Sequence, residues 1–363
     1  MQTIASLLNV ATEERNLDWI KSSLKTAVAL ELSTLPPYLV ASWTIAKAKV
    51  GGGWEILNTN PAYRSIRLIA LEEMLHLGLA CNLLGAIGGA VPLLEIGREL
   101  RYPGPLPGGV IPGLTVGLER FSERLVEETF LRIEFPEKGP IVLLSLADEP
   151  PTIGSFYSAL LAAFEQVQPP LAAARQIDLQ NLLQPFPGSV LSNAFATIAS
   201  TVADVRSIIG RIKEQGEGNE QSPLDLPGAT TTTPPDFAHY YRFKEMATNR
   251  KIVQVDGVWK LSTQPEDRFG NPDPATEIVP MAPVPEGGYP GVPEVEAFNQ
   301  SWTALLVTLE KAWAAGTAGS DDLDAGVDDM STLKTRALAV LAKPLPGNTG
   351  EFYGPDFRIV VEG

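Results

Sequence analysis

The sequence is poor in several residues that carry chemistry. It contains one cysteine and two histidines among 363 residues. The single cysteine, Cys81, excludes an internal disulfide and a thiolate metal cage. Its apolar neighbours favour a small buried side chain over a nucleophile. If His76 and His239 both bind a metal, every imidazole of the chain is used.

The chain also lacks a basic cluster. Its 28 basic and 43 acidic residues give a formal net charge of −15. Such a surface repels phosphate groups, so we expect neither nucleic acid nor an anionic membrane surface as a partner. The first 16 residues lack the basic start and apolar stretch of a signal peptide, so the cytoplasm is the expected location.

The sequence has no long uninterrupted apolar run. The longest, residues 66–94, contains Glu72, Glu73 and His76. A membrane span seldom carries two carboxylates and an imidazole near its middle. We therefore interpret this segment as a helix buried in a protein core.

Hydrophobic residues make up 44% of the chain, which is enough for a full core. Apolar periodicity predicts a mainly α fold, an up-down helical bundle with long Pro/Gly-rich loops. The predicted helices span residues 16–48, 61–87, 118–130, 153–167, 191–214, 236–246, 293–315 and 324–341. We expect one domain over residues 1–363 with a C-terminal helical elaboration, and a boundary near residue 250 is the alternative.

Local signals refine this outline. Pro36 and Pro37 predict a kink or restart in the first long helix, because proline lacks a backbone donor and clashes with the preceding turn. Asp256-Gly257 between two short apolar segments predicts a β-hairpin. Asp236 is a candidate N-cap for the helix that follows it.

The sharpest motif is EEMLH, residues 72–76. Glu73 and His76 lie three residues apart, so both reach one side of a helix and can bind one ion. Glu31 lies on the apolar stripe of the preceding helix. One Glu from one helix and Glu-x-x-His from the next form half of the di-iron carboxylate pattern of four-helix bundles. The alternative for the isolated motif is a buried Glu–His pair that fixes the core.

A second group of candidates lies later in the chain. Glu214 and Glu217 end a predicted helix, where acidic residues oppose the helix dipole unless a partner such as a metal is present. The alternative is a solvated helix end. His239 follows among aromatic residues, and a packed core histidine is an equal alternative for it.

Several segments together resemble the ferritin-like domain of iminophenyl-pyruvate dimer synthases. They are LELSTLPPYL (30–39), EEMLHLGLACNLLGAIGG (72–89), TIGSFY (152–157), IKEQGEG (212–218), DFAHYYRFKEM (236–246), FNQSWTALLVTLE (298–310) and a late GPDF. Members of that family couple two imines derived from aromatic amino acids in violacein and rebeccamycin pathways.

The resemblance implies a metal-dependent oxidative enzyme of secondary metabolism. The implied metal ligands are Glu31, Glu73, His76, Glu217, His239 and Glu214. This chain departs from the family in two ways. His239 comes from a later segment than Glu214 and Glu217. Ser155 stands where relatives often carry Glu, and Glu165 is the only later acidic residue in that helix. Mononuclear and dinuclear sites therefore both remain open.

The expected cofactor is non-haem iron, with manganese an alternative by ligand type and haem not excluded. Glu214 and Tyr157 are the candidate catalytic residues. Candidates for contacting an aromatic, amino-acid-derived substrate are Tyr38, Trp43, Tyr240 and Tyr241, although core packing explains aromatic residues as well. A homo-oligomer is possible. The alternative function is a non-catalytic ferritin-like metal-binding or scaffold protein.

Overall fold

A computed structural model describes residues 2–136, 152–180, 196–218, 222–224, 237–347 and 349–360. The chain is mainly helical, which confirms the predicted fold class. The helices are α1 (Ile4–Leu8), α2 (Leu17–Thr44), α3 (Pro61–Ala86), α4 (Leu93–Glu99), α5 (Glu123–Leu125), α6 (Leu131–Ile133), α7 (Ile153–Val167), α8 (Val202–Glu217), α9 (His239–Thr248), α10 (Pro293–Ala315) and α11 (Ser320–Leu341). Two small antiparallel strand pairs accompany them: β1 (Ala46–Ala48) with β2 (Trp54–Ile56), and β3 (Ile252–Val255) with β4 (Val258–Leu261).

The two long helices α2 and α3 form the centre of the molecule. The Asn16 side chain caps α2 by accepting from the backbone N–H groups of Asp18 and Trp19. Asn60 caps α3, and Pro61 occupies its first turn, where a missing N–H costs nothing. Both helices are buried along most of their length, as expected for the apolar sequence of each.

Helix α2 continues through Pro36 and Pro37, so the restart is wrong, and the alternative, a kink, stays a prediction. Pro37 cannot donate to the carbonyl of Ser33, four residues earlier. The hydroxyl of Tyr102 donates to that carbonyl instead, at 2.7 Å. A distant loop residue therefore satisfies the group that proline leaves free.

Helices α7 and α8 pack on each other and complete the bundle against α2 and α3. Helix α7 has the predicted bounds. Helix α8 begins later than predicted, because Thr201 and Asp204 form a capping box there, and it ends at Glu217. The earlier part of that prediction, residues 191–195, and the proposed cap Asp236 lie outside the described residues.

The helix predicted over residues 118–130 is also different. Residues 118–122 are not helical, and a π-helical turn, Val126–Phe130, lies between the short helices α5 and α6. The turn from Asp256 to Gly257 has positive φ at both residues, 53° and 78°, as the predicted two-residue hairpin requires.

The C-terminal helices α10 and α11 form a hairpin beside α3. Asn82 of α3 connects the two parts, because its side chain is fully buried and accepts from the indole Nε1 of Trp313 at 3.0 Å. Asn82 also binds the backbone of Ile177 and Thr197, so one side chain fixes three segments.

Helix α3 is long and apolar enough to cross a membrane by length and composition, but 83% of its most apolar window is buried inside the protein. This burial agrees with its interpretation as a core helix. The predicted location in the cytoplasm stays a prediction.

Candidate metal centre

A first group of possible metal ligands joins α2 and α3. The Nδ1 atom of His76 lies 3.4 Å from Oε1 of Glu73 and 3.8 Å from Oε2 of Glu31. All three side chains are buried, and their candidate ligand atoms lie within 4.8 Å of one another. The structure thus brings together the residues expected from the helical spacing.

A second group shares Glu73 with the first. The Nδ1 atom of His239, the first residue of α9, lies 2.9 Å from Oε1 of Glu73 and 3.5 Å from Oε2 of Glu134. These residues are also buried, and their candidate ligand atoms also lie within 4.8 Å of one another. One carboxylate between two groups is an arrangement that can hold two neighbouring ions.

Both histidines turn the same ring atom toward the carboxylates. Their other nitrogen, Nε2, lies 3.0 Å from an oxygen acceptor: Oε1 of Gln215 for His76 and Oε2 of Glu72 for His239. An acceptor at Nε2 places the ring proton there and leaves the Nδ1 lone pair for a metal. The carboxylate of Glu72 is itself held by Arg242, whose Nη1 donates to Oε2 at 2.7 Å.

Each of the three carboxylates has one oxygen fixed by a hydroxyl group and the other directed toward the histidines. The hydroxyl pairs are Thr34 with Oε2 of Glu73 at 2.9 Å, Tyr38 with Oε1 of Glu134 at 2.6 Å, and Tyr157 with Oε1 of Glu31. Such outer hydrogen bonds orient ligands in advance of metal binding.

The electrostatics of this cluster favour added positive charge. Burial and the neighbouring Glu73 carboxylate raise the pKa of Glu31 well above its ordinary value, and the same two causes raise the pKa of Glu134. Burial alone would lower the pKa of His239, but the negative charge of Glu134 and hydrogen bonds to Glu134, Glu72 and Glu73 outweigh it and raise that pKa well above its usual range. Without a cation, a proton on His239 therefore offsets part of the carboxylate charge.

The donor set fits a divalent transition metal. Three carboxylates and two imidazoles suit iron or manganese, whereas the lone thiol, Cys81, is not part of either group. Buried carboxylates at this density are costly unless protons or cations compensate them. The residues present therefore fit the metal that the fold implies.

Glu134 is the ligand candidate that sequence reasoning missed. It follows α6 directly, after the π-helical turn, a feature that often marks functional sites. In the sequence, the only feature that could have pointed to Glu134 is its position as a single acidic residue between the apolar Ile133 and Phe135. Ser155, where relatives often carry Glu, instead donates its hydroxyl to the backbone of Thr152 at the start of α7.

The predicted ligands Glu214 and Glu217 are in neither group of described residues. Glu214 is only partly buried. Glu217 is buried, and its carboxylate lies close to Gly154, where a Cβ atom would approach its oxygen to 2.2 Å. Gln215, between them, is the residue of this turn that contacts His76. A ligand role for either glutamate stays a prediction.

The aromatic candidates separate into two sets. Tyr38 and Tyr157 bind carboxylates of the cluster, as described above. Trp43 lies elsewhere, with its ring stacked on Phe357 at 6.2 Å between centroids. Tyr240 and Tyr241 pack against each other at 5.1 Å. A substrate-binding role for these residues stays a prediction.

A small cavity adjoins the two groups. Its volume is about 30 Å³, and Glu31, Glu73, His76, Tyr157 and Glu217 are among the residues that line it. A cavity of this size holds about one water-sized molecule. The space beside the carboxylates therefore suits a diatomic or triatomic molecule.

Fold and site together define a helical bundle protein with buried carboxylate and histidine groups compatible with a metal site. A family model described as ferritin-like matches residues 24–248, and the chain belongs to this ferritin-like family. The matched segment contains all five residues of the two groups. No curated protein matches the chain.

Among solved structures, the chain is similar to a ferritin-like protein from Caulobacter vibrioides. The two share 20% sequence identity with a TM-score of 0.55, and the alignment covers 88% of this chain and 93% of that chain. At this identity the likeness concerns the fold alone. The chain is thus ferritin-like, and membership in the dimer synthase family stays a prediction.

Proposed function

We propose that this protein is a metal-dependent oxidative enzyme with a dinuclear non-haem iron centre. The observation that carries the proposal is the pair of ligand groups joined by Glu73. Glu31 and His76 would hold one ion, Glu134 and His239 the other, and Glu73 would bridge them. Manganese is the alternative metal for the same donors.

Iron bound there would supply the ability to activate dioxygen or to accept electrons from a substrate. The chain's own residues would hold and shape the centre. The hydroxyls of Thr34, Tyr38 and Tyr157 fix one oxygen of each carboxylate, as described above. The small adjoining cavity would admit an oxidant of the size of dioxygen and little water.

We propose that Tyr157 contributes to catalysis through its contact with Glu31. Its hydroxyl donates to Glu31, and burial and the Glu31 charge raise the pKa of this phenol well above its ordinary value. The phenol therefore stays protonated at neutral pH and would hold the Glu31 carboxylate in place by this hydrogen bond. Glu214 forms no hydrogen bond with Glu31 among the described residues, and its catalytic role stays a prediction.

The substrate proposal rests on the resemblance to iminophenyl-pyruvate dimer synthases. We propose an aromatic, amino-acid-derived small molecule as substrate, and neither nucleic acid nor a membrane as partner, because the formal net charge of the chain is −15. A homo-oligomer is compatible with this proposal.

Oxygen uptake tests the proposal. Full-length protein is loaded anaerobically with iron(II), and dioxygen consumption is followed with and without the imine of indole-3-pyruvate, together with product analysis. We expect consumption that depends on the imine and yields a coupled product. Glu134→Ala should lower the rate by about 100-fold or more, because an ion loses a ligand.

The matched control is Glu165→Ala. Glu165 is 40% exposed and pairs only on the surface with Arg206, at 2.7 Å, so its removal should leave the rate unchanged. Metal binding with no oxygen consumption above that of free iron(II) would favour the rival function, a non-catalytic ferritin-like metal-binding or scaffold protein. Equal losses in both variants would contradict the assignment of Glu134.

A further inference from the structure

A second and much larger cavity lies on the other side of α3. Its volume is about 640 Å³, compared with about 30 Å³ beside the metal groups. Residues of α2, α3, α10 and α11 form its walls. Cavities of about 300–1,000 Å³ are the size class that binds small organic molecules in proteins.

This cavity is separate from the candidate metal centre. Tyr63, Arg67, Ala70 and Met74 line it at spacings of four, three and four residues, which is one side of α3. None of the five residues of the two metal groups lines it. Helix α3 therefore presents its carboxylate and imidazole to one side and an apolar surface to the other.

The lining matches a flexible aliphatic chain. Leucine is the most frequent residue, as in Leu35, Leu71, Leu305 and Leu309, and the indoles of Trp302 and Trp313 add flat apolar surface. An acyl chain gains free energy for each methylene group transferred from water into such surroundings.

One end of the cavity is basic, although the protein as a whole is acidic. Arg67 is exposed at this end and forms no ion pair with any residue that the structure describes. Lys334 of α11 also lines the cavity, and its Nζ donates to the hydroxyl of Tyr63 at 3.3 Å, one helical turn before Arg67 on the same side of α3. An anionic group at this position would reach both cations.

Two acidic residues of α11, Asp324 and Asp328, also line the cavity, and both are exposed. They lie six or more residues before Lys334 on the same helix. The cavity thus has an apolar body and a basic end, which is the pattern that binds an amphiphile through its anionic group.

We propose that this cavity binds a single-chain amphiphile with an anionic head, such as a fatty acid, with the head at Arg67 and Lys334 and the acyl chain between α3 and the α10–α11 hairpin. This site is independent of the proposed metal centre and of its chemistry. A free fatty acid and the acyl chain of a monoacyl phospholipid share the required features.

Isothermal titration of the purified full-length protein tests the proposal. The probes are decanoate, decanol and decyltrimethylammonium, all below their aggregation concentrations, with lysophosphatidate as the phospholipid source. We expect one decanoate per chain and a decanol affinity about two- to fivefold weaker, since a solvent-exposed charge contact contributes modestly. Tighter binding of lysophosphatidate than of decanoate would identify the lipid as the source, and the reverse would identify the free acid.

Three variants give the test its specificity. Arg67→Gln should weaken decanoate by about two- to fivefold and leave decanol unchanged, whereas Arg64→Gln, an exposed arginine of the same helix that does not line the cavity, should change neither. Leu71→Trp should narrow the cavity and weaken binding of every probe. If that variant does not fold, Ser331→Trp, at an exposed lining position of α11, replaces it.

Absence of saturable binding by any probe would overturn the proposal. So would equal affinity for decanoate and decanol, or tighter binding of decyltrimethylammonium, because the basic end would then have no part in recognition. Unchanged binding in both cavity-narrowing variants would place the probes elsewhere and would overturn it too.

Discussion

Glu72 has two roles that variants can distinguish: it neutralises the buried Arg242, and it orients the candidate metal ligand His239. Glu72 and Arg242 are 1% and 5% exposed, and the carboxylate lies between Arg242 and Nε2 of His239. The contact with Arg242 and the His239 imidazole holds the pKa of Glu72 at about 2 despite its burial, which alone would raise it. Glu72 is therefore ionised at any pH at which the protein is used.

Glu72→Leu leaves the buried guanidinium without this counter-charge. Breaking one side of a buried pair costs about 3–5 kcal/mol of unfolding free energy, because a desolvated charge loses its compensation. The same change removes the acceptor that orients His239, and loss of such a partner lowers metal affinity by about 10- to 100-fold. Urea unfolding of metal-free protein and chelator competition for iron(II) measure the two effects.

The double variant Glu72→Leu/Arg242→Met distinguishes the two roles. Replacing both partners by apolar groups should restore most of the stability, to within about 1 kcal/mol of the original protein, without restoring metal affinity. Asp322→Asn, which breaks the exposed pair with Lys311, is the control and should cost less than about 1 kcal/mol. Normal metal affinity in the double variant would refute the reasoning, as would unchanged stability in Glu72→Leu.

Three further predictions concern stability. Gly154→Ala places a Cβ atom 2.2 Å from the buried carboxylate of Glu217 and should lower the free energy of unfolding by about 1–3 kcal/mol. Gly210→Ala has open space around the new Cβ atom and should raise the free energy of unfolding by up to about 1 kcal/mol. Urea unfolding measures both changes. Asn82→Leu leaves several buried backbone groups without their partner and should cost about 3 kcal/mol or more by the same assay. Burial raises the pKa of Glu245 to about 7, so the folded chain binds more protons than the unfolded chain between about pH 4.5 and 7. Unfolding free energy should therefore fall by about 3 kcal/mol as pH rises through this window, and a slope unchanged in Glu245→Gln would contradict the assignment.

The sequence predicted those parts of the site that depend on helical periodicity. Glu31, Glu73 and His76 could be placed together because spacing on two adjacent helices determines which side chains share a side. The hairpin at Asp256 and Gly257 was predictable for a similar reason, since two positive φ angles strongly limit the residues that fit.

The other parts depend on long-range packing. Glu134 reaches the cluster through a π-helical turn that no periodic pattern reveals. The last turn of α8 directs Gln215, rather than Glu214, at His76, which depends on how the helix is rotated in the bundle. The continuity of α2 through Pro37 depends on Tyr102, 65 positions later. None of these contacts is local, so local patterns could not predict them.

The most direct test of the central claim is the metal content of single-residue variants. Elemental analysis after anaerobic iron(II) loading and desalting should find about two ions per chain in the original protein, about one in Glu31→Ala and in Glu134→Ala, and almost none in Glu73→Ala, because only Glu73 belongs to both groups. The absorption spectrum of the same samples should show no haem band. Two ions retained in Glu73→Ala, or no metal in the original protein, would contradict the account.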